Sequence, residues 1–187
     1  MPRPARYTVD VLLDAAAELL AAEGPAAVTM SAVARNTGAP SGSVYHRFPT
    51  RAALCGELWV RTEERFQEKV LDALSGDGDP QQRCVDGALR ILQWCRENPV
   101  EAHVLLAGPH ELGMGDWPDT IAARRKRLQR KLRKVLSDLS DDNGRVTAAI
   151  MDVPTAIARR HFRARQAIPA GADDIVVDCA RALISPN

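Results

Sequence analysis

The chain has 187 residues, enough for one ordinary domain or two small ones sharing a core. With 45% hydrophobic and 26% charged residues its composition is that of a soluble globular protein, and a net charge of +1 excludes any global field drawing it onto nucleic acid. Any such attraction must be local. Cys55, Cys84, Cys95 and Cys179 form neither a C-x-x-C pair nor a zinc-finger spacing, so reduced thiols are expected, with redox sensing as the other reading. No apolar run approaches a membrane span, and the opening MPRPARY lacks the apolar stretch of a signal peptide; the expected location is cytoplasmic.

Residues 1–7 read as a polar arm, either a frayed terminus or a basic segment reaching DNA. From Thr8 to Glu23 the spacing is helical, with Val9, Leu12, Leu13, Ala16, Leu19 and Leu20 on one side, Thr8 as N-cap and Gly24-Pro25 as the stop. Thr29 is a good N-cap for a next helix whose apolar side is Met30, Val33 and Ala34, although Ala32 occupies the place where a capping box would want Glu or Gln. Gly38 fits the left-handed end of that helix, and Pro40 fits just inside the start of another. Val44, Tyr45 and Phe48 supply the apolar edge of this third helix, among Ser41, Gly42 and Ser43. Two short helices joined by a glycine turn make a helix-turn-helix, whose second helix enters the DNA major groove. No acidic residue stands between Met30 and Arg51, while Arg35, Arg47 and Arg51 do, a local basic patch on a nearly neutral chain.

A longer helix follows from Arg51 to about Leu74, with Leu54, Leu58, Trp59, Phe66, Val70 and Leu74 as its stripe, and SGDGDP breaks it. Further helices are expected at 80–97, 99–107, 118–139, 145–166 and 172–184, with a glycine- and proline-rich loop at 108–118. No stretch alternates at period two, so the fold class is all-α. The run Arg124-Arg125-Lys126-Arg127, with Arg130, Lys131, Arg133 and Lys134, lies opposite the apolar stripe Ile121, Leu128, Leu132, Val135 and Leu136. It reads first as a solvated helix face, with an anionic ligand, an acidic partner or auxiliary DNA contact as the functional alternatives.

These residues also resemble a known pattern. Thr29, Val33, Ala34 and Gly38, then Ser41-Gly42-Ser43-Val44-Tyr45-His46-Arg47-Phe48-Pro49-Thr50-Arg51 and Leu54, are similar to the signature of the tetracycline-repressor (TetR/AcrR) family. The resemblance implies an N-terminal three-helix DNA-binding head at 1–50 and a larger helical regulatory and dimerisation domain at 51–187, about nine helices in all. By position it implies DNA contacts from Thr29, Pro40, Ser41, Gly42, Ser43, Tyr45, His46, Arg47 and Arg51. Pro40 stands where serine is common and lacks its hydroxyl and N–H; Ser41 replaces a frequent lysine, which shifts the charge onto Arg47 and Arg51. The partners implied are a palindromic double-stranded operator, a second copy joined through the last two helices, and a small-molecule ligand that releases a repressor.

Trp94, His103, His110, Trp117 and Met151 are the candidates for lining the ligand pocket, in a chain with only 4% aromatic residues; ordinary core packing is the alternative for the tryptophans. His103 and His110 are separated by Gly108-Pro109 and define no metal site, and no cofactor is expected. The chain has no G-x-S-x-G, H-E-x-x-H or Walker pattern, so an enzyme is the weaker reading. Another is an interaction module using helix 124–134 on an acidic partner.

Overall fold

The computed structural model describes residues 7–184. The chain divides into two compact units, one holding the chain up to Glu63 with His103–Arg125, the other Glu64–Ala102 with the chain from Lys126 on. The expected arm at 1–7 lies, except for Tyr7, outside the described residues.

In the first unit, α1 (Val9–Glu23) begins where Thr8 accepts the Val11 N–H at 3.3 Å and ends where Gly24, at φ 90°, donates to the Leu20 carbonyl at 2.8 Å. Leu12, Leu13, Ala16 and Leu20 are buried as expected; Val9, at the open end of the helix, is 40% exposed. A 3-10 turn (Pro25–Ala27) leads to α2 (Met30–Thr37), capped by Thr29, which accepts the Ala32 N–H at 3.1 Å. Half of a capping box therefore suffices here. Gly38 takes the left-handed φ of 67°, and its N–H closes onto the Ala34 and Arg35 carbonyls. α3 (Ser41–Arg47) and the first part of α4 (Arg51–Leu74) follow. Pro40, expected just inside the start of this helix, stands one position outside it, at the N-cap, because its φ of −56° and ψ of 135° are extended; its carbonyl accepts the Ser43 N–H at 2.9 Å. α1 packs on α2, and α2 on α3. Arg61 of α4, almost buried, lies 3.1 Å from Asp10 and 2.8 Å from Asp14, which stand one turn apart on α1. The end of α6 (Pro99–Ala107), a 3-10 turn (Met114–Asp116) and the start of α7 (Asp119–Ser137) complete the unit. Gly56 allows their close approach, since a methyl there would stand 3.0 Å from Ile121 and 3.1 Å from Trp117.

In the second unit α5 (Pro80–Glu97) is central. It packs against α10 (Ala172–Leu183), α9 (Val153–Arg163) and a π-helical turn (Ala148–Asp152) that follows α8 (Asn143–Thr147). Val85, Ala149 and Ala180 form a buried cluster flanked by Leu89, Val177 and Leu183. Arg96 fastens the loop before α10, donating to Asp173 at 2.8 and 3.2 Å and to the carbonyls of Pro169 and Ile168.

The single helix expected over 145–166 is interrupted. Pro154 has no N–H to return to the Ile150 carbonyl, and the ladder widens into a π turn immediately ahead of it. Thr147, Ala148, Asp152 and Val153 all keep right-handed helical dihedrals, so the rod continues through the turn. It ends at Arg163, short of the expected 166, because Arg165 adopts φ 54°. Counting this rod once, the described residues hold nine helices and no strand.

Gly87 lets α5 approach closely: a methyl there would overlap the side chain of Leu74, which is fully buried, and meet Ile150 at 3.6 Å. Gly87→Ala should gain about 1 kcal/mol of helix propensity and lose about 1–3 kcal/mol to overpacking, a net destabilisation measurable as a lower urea midpoint. An unchanged or higher midpoint would show that Leu74 yields freely.

Candidate nucleic-acid interface

α3 has seven residues, and its faces are sharply divided. Val44 is fully buried and the following Phe48 is 2% exposed, which fixes the helix to the unit beneath. Pro40, Ser41, Gly42, Tyr45, His46 and Arg47 are all exposed, and Ser43 is half-buried. The sequence places Tyr45 on the apolar edge with Val44 and Phe48; the structure leaves it 54% exposed, one of the few large apolar side chains standing out from the described surface. A phenol ring held outward on a short helix, beside an imidazole and a guanidinium, can stack on sugars and donate to phosphate or base-edge acceptors. Tyr45, His46 and Arg47 follow one another at the end of the helix, and the small Ser41 and Gly42 leave their own backbone N–H groups uncovered in its first turn, while that of Ser43 donates to the Pro40 carbonyl.

Thr29 and Arg51 are placed differently. The Thr29 hydroxyl caps α2 and lies 3.3 Å from the Ser31 hydroxyl, half-buried. Arg51 points into its own unit: Nε donates to the Val28 carbonyl and Nη2 to the Pro25 carbonyl, both at 2.7 Å. It braces the 3-10 turn against the start of α4, while Arg35 and Arg47 are the exposed guanidinium groups of the helix-turn-helix. Two supporting contacts escaped the sequence reading. The Tyr7 hydroxyl donates to the Gly38 carbonyl at 2.9 Å, pinning the turn between the two short helices. The Arg61 tie to Asp10 and Asp14 was signalled only by the one-turn spacing of the two aspartates.

The five candidate ligand residues are divided between the units. His103 (half-buried), His110 (exposed) and Trp117 (buried) belong to the first; Trp94 (buried) and Met151 (half-buried) belong to the second. Trp117 donates from Nε1 to the Leu112 carbonyl at 3.0 Å and lies 5.8 Å, ring to ring, from Trp59, over which the Arg125 guanidinium sits at 5.4 Å. Trp94 meets Phe66 edge to face at 5.1 Å and lines an open cavity of about 380 Å³ with Arg65, Lys69, Arg90, Glu97 and Glu101. Trp59 and Phe66 are visible in the sequence only as members of a helical stripe, which does not say which aromatic meets which.

Burial pushes the thiols of Cys55, Cys84 and Cys95 up, Cys95 to about 12, against the weaker pull of neighbouring Arg51, Arg83 and Arg96 respectively. All three therefore remain protonated at neutral pH and are poor nucleophiles. Among the described residues no cluster of His, Cys, Asp or Glu is arranged to hold a metal, and no helix is long and apolar enough to cross a membrane.

Comparison with known proteins agrees with this arrangement. Residues 12–58 match the family described as bacterial regulatory proteins, tetR family. An HTH-type transcriptional regulator of Mycobacterium tuberculosis (strain CDC 1551 / Oshkosh) is 26% identical over 100 residues, covering 54% of this chain; the chain spans about half the length of the curated relatives it matches. Among solved structures, a transcriptional regulator from Rhodococcus sp. Rha1 superposes with a TM-score of 0.77 at 17% identity, over 95% of this chain and 96% of that one. The regulator FadR from Bacillus subtilis, in complex with stearoyl-CoA, does so with a TM-score of 0.72 at 14% identity, over 95% and 98%. Those two likenesses are of fold alone, whereas the family match falls on the helix-turn-helix itself: residues 12–58 are similar to the tetR family of bacterial regulatory proteins.

Proposed function

We propose that the chain is a cytoplasmic, homodimeric transcriptional repressor without enzymatic activity, whose head at 1–50 binds a palindromic operator and whose residues 51–187 bind a releasing ligand. The observation that carries this reading is the exposed row Ser41, Gly42, Tyr45, His46 and Arg47 on a helix anchored by Val44 and Phe48. Tyr45, His46 and Arg47 supply the side-chain contacts; Pro40, Ser41, Gly42, Ser43 and Thr29 line the approach to phosphates at the helix starts; Arg51 holds the frame in which they sit. Release requires a ligand that binds two arrangements of the dimer with different affinity, since equal affinity shifts nothing. The stearoyl-CoA held by the B. subtilis protein supports a ligand-binding role for the helical region and leaves its chemistry in this chain open.

For the dimer, α9 and α10 supply the interface. The supporting observation is Ile175, 49% exposed on α10. Ile175→Glu should shift the protein from dimer to monomer in sedimentation equilibrium without loss of helix content; an unchanged mass would move the interface elsewhere.

The DNA reading is tested by fluorescence anisotropy on the DNA flanking the protein's own gene, against scrambled duplex. Tyr45→Ala should weaken operator binding about tenfold or more while leaving the urea midpoint unchanged, because an exposed ring contributes little to the core. Pro40→Ser, which restores a hydroxyl cap and an N–H at the start of α3, should tighten it several-fold. If Tyr45→Ala binds as the parent does, α3 is not the reading helix.

A further inference from the structure

Seen by charge, α7 differs from the other long helices. α4 and α5 interleave acids and bases along their length, whereas α7 has no acidic residue from Thr120 to Ser137. Lys126, Arg127, Arg130, Lys131, Arg133 and Lys134 are all exposed, and none forms an ion pair among the described residues. At 100° per residue they fall within an arc of roughly 160° and span roughly 12 Å of helix axis. Lys126, Arg130 and Lys134 form a row with one cation per turn, spaced about 6 Å along the axis. The first two cations of the run are different: Arg124 is paired with Glu57 at 2.6 Å and Arg125 lies over Trp59.

Like charges at these spacings destabilise a helix by about 0.2–0.5 kcal/mol per pair. A face kept only for solubility is served better by mixed signs, which the chain has in plenty. Eight of its 25 Lys and Arg residues lie between 124 and 134; the other 17 face 24 acidic residues. The helix-turn-helix head carries no surplus of bases, since residues 1–50 hold Arg3, Arg6, Arg35 and Arg47 against Asp10, Asp14, Glu18 and Glu23. Sequence-independent affinity for DNA comes almost wholly from cations that displace counterions from phosphates. In this chain those cations are concentrated on α7.

We propose that the exposed face of α7 formed by Lys126, Arg127, Arg130, Lys131, Arg133 and Lys134 is a second, sequence-independent binding surface for duplex DNA phosphates. The proposal rests on the DNA-binding reading of the head only in making DNA the polyanion at hand. Charge complementarity selects a polyanion, and the composition of the face selects DNA among polyanions. The arc carries no apolar or aromatic side chain to insert into a bilayer; Leu128, Leu132, Val135 and Leu136 are half-buried or buried. Nor does it offer the aromatic anchors around which protein interfaces are built, and lysine, half of the set, is depleted in such interfaces. Protein–DNA interfaces, by contrast, are strongly cationic and polar.

The test uses the full chain and a duplex of scrambled sequence, with affinity followed across a salt series. In Lys126→Gln/Arg130→Gln/Lys134→Gln the plot of log affinity against log salt should become shallower by about 2 to 3, with affinity at low salt reduced about tenfold or more. Arg127→Gln/Lys131→Gln/Arg133→Gln, on the flank of the same face, should show a smaller change in the same direction. Circular dichroism of both variants should match the parent, since removing like charges relieves repulsion. An unchanged slope in both variants overturns the proposal, as does loss of binding to anionic phosphatidylserine vesicles or to polyglutamate with DNA binding intact. Tyr45→Ala separates the two surfaces. If it abolishes operator preference while the α7 variants leave the scrambled-duplex slope unchanged, the head reading stands and this one falls. If the slope drops in the α7 variants although no sequence is ever preferred, the reverse holds.

Discussion

A seven-residue helix does not persist in water by itself, because nucleation costs more than so few hydrogen bonds return. α3 exists because Val44 and Phe48 are buried beneath it, and this constraint shapes the rest of the head. With one side chain inside the helix and one at its end fixing it, the remaining positions are free to face outward: small serine and glycine in the first turn, tyrosine, histidine and arginine at the end. Pro40 offers no oxygen for a side-chain cap, so the helix depends on that burial all the more.

Around this helix, arginines of one type do three different jobs. Arg51 spends its guanidinium on two backbone carbonyls, Val28 and Pro25, at a turn that has no side-chain cap of its own among the described residues. Charged donors to carbonyls contribute about 1.5–3 kcal/mol each when half-buried, enough to decide whether the connection from α1 to α2 holds its course. Arg61 joins α4 to α1 through two aspartates. Arg47 does neither and stays in solvent. Counting basic residues in the window up to Arg51 therefore overstates the free charge of the head, which is why a reading based on charge alone gives Arg51 and Arg47 the same role.

That difference marks how far local chemistry carries. The N-caps Thr8 and Thr29, the left-handed Gly38, the stops at Gly24-Pro25 and after Leu74, and the stripe from Leu54 to Leu74 were legible because each acts within a turn or two of its own position. The partners of Arg51, the pairing of Trp59 with Trp117 and of Phe66 with Trp94, and the outward turn of Tyr45 depend on residues distant in the chain. No periodicity contains them. The interruption of the helix over 145–166 lies between these cases. Pro154 was in plain view, but a proline can break, kink or widen a helix, and burial of Ala149 and Ile150 within the wide turn favours keeping the rod intact. Arg165 gives no local cue either, since a left-handed arginine is disfavoured; it closes the helix as a C-terminal cap, its N–H donating to the Phe162 carbonyl and that of Gln166 to the His161 carbonyl.

The charge distribution sets a further requirement on any regulator built this way. In the proposed function, specificity resides in short-range contacts from α3, which act only once the helix is in the groove. Arrival and residence on DNA are governed by longer-range charge, which salt screens within about 8–10 Å under ordinary conditions. The head has as many acids as bases, so its net charge contributes little to attraction. The cationic face proposed on α7 would relieve it of that second task and leave α3 free to keep small and aromatic residues where lysines would otherwise be needed. Ser41 in place of a lysine is consistent with such a division: charge removed from the reading helix can be supplied elsewhere, while the shape of that helix cannot.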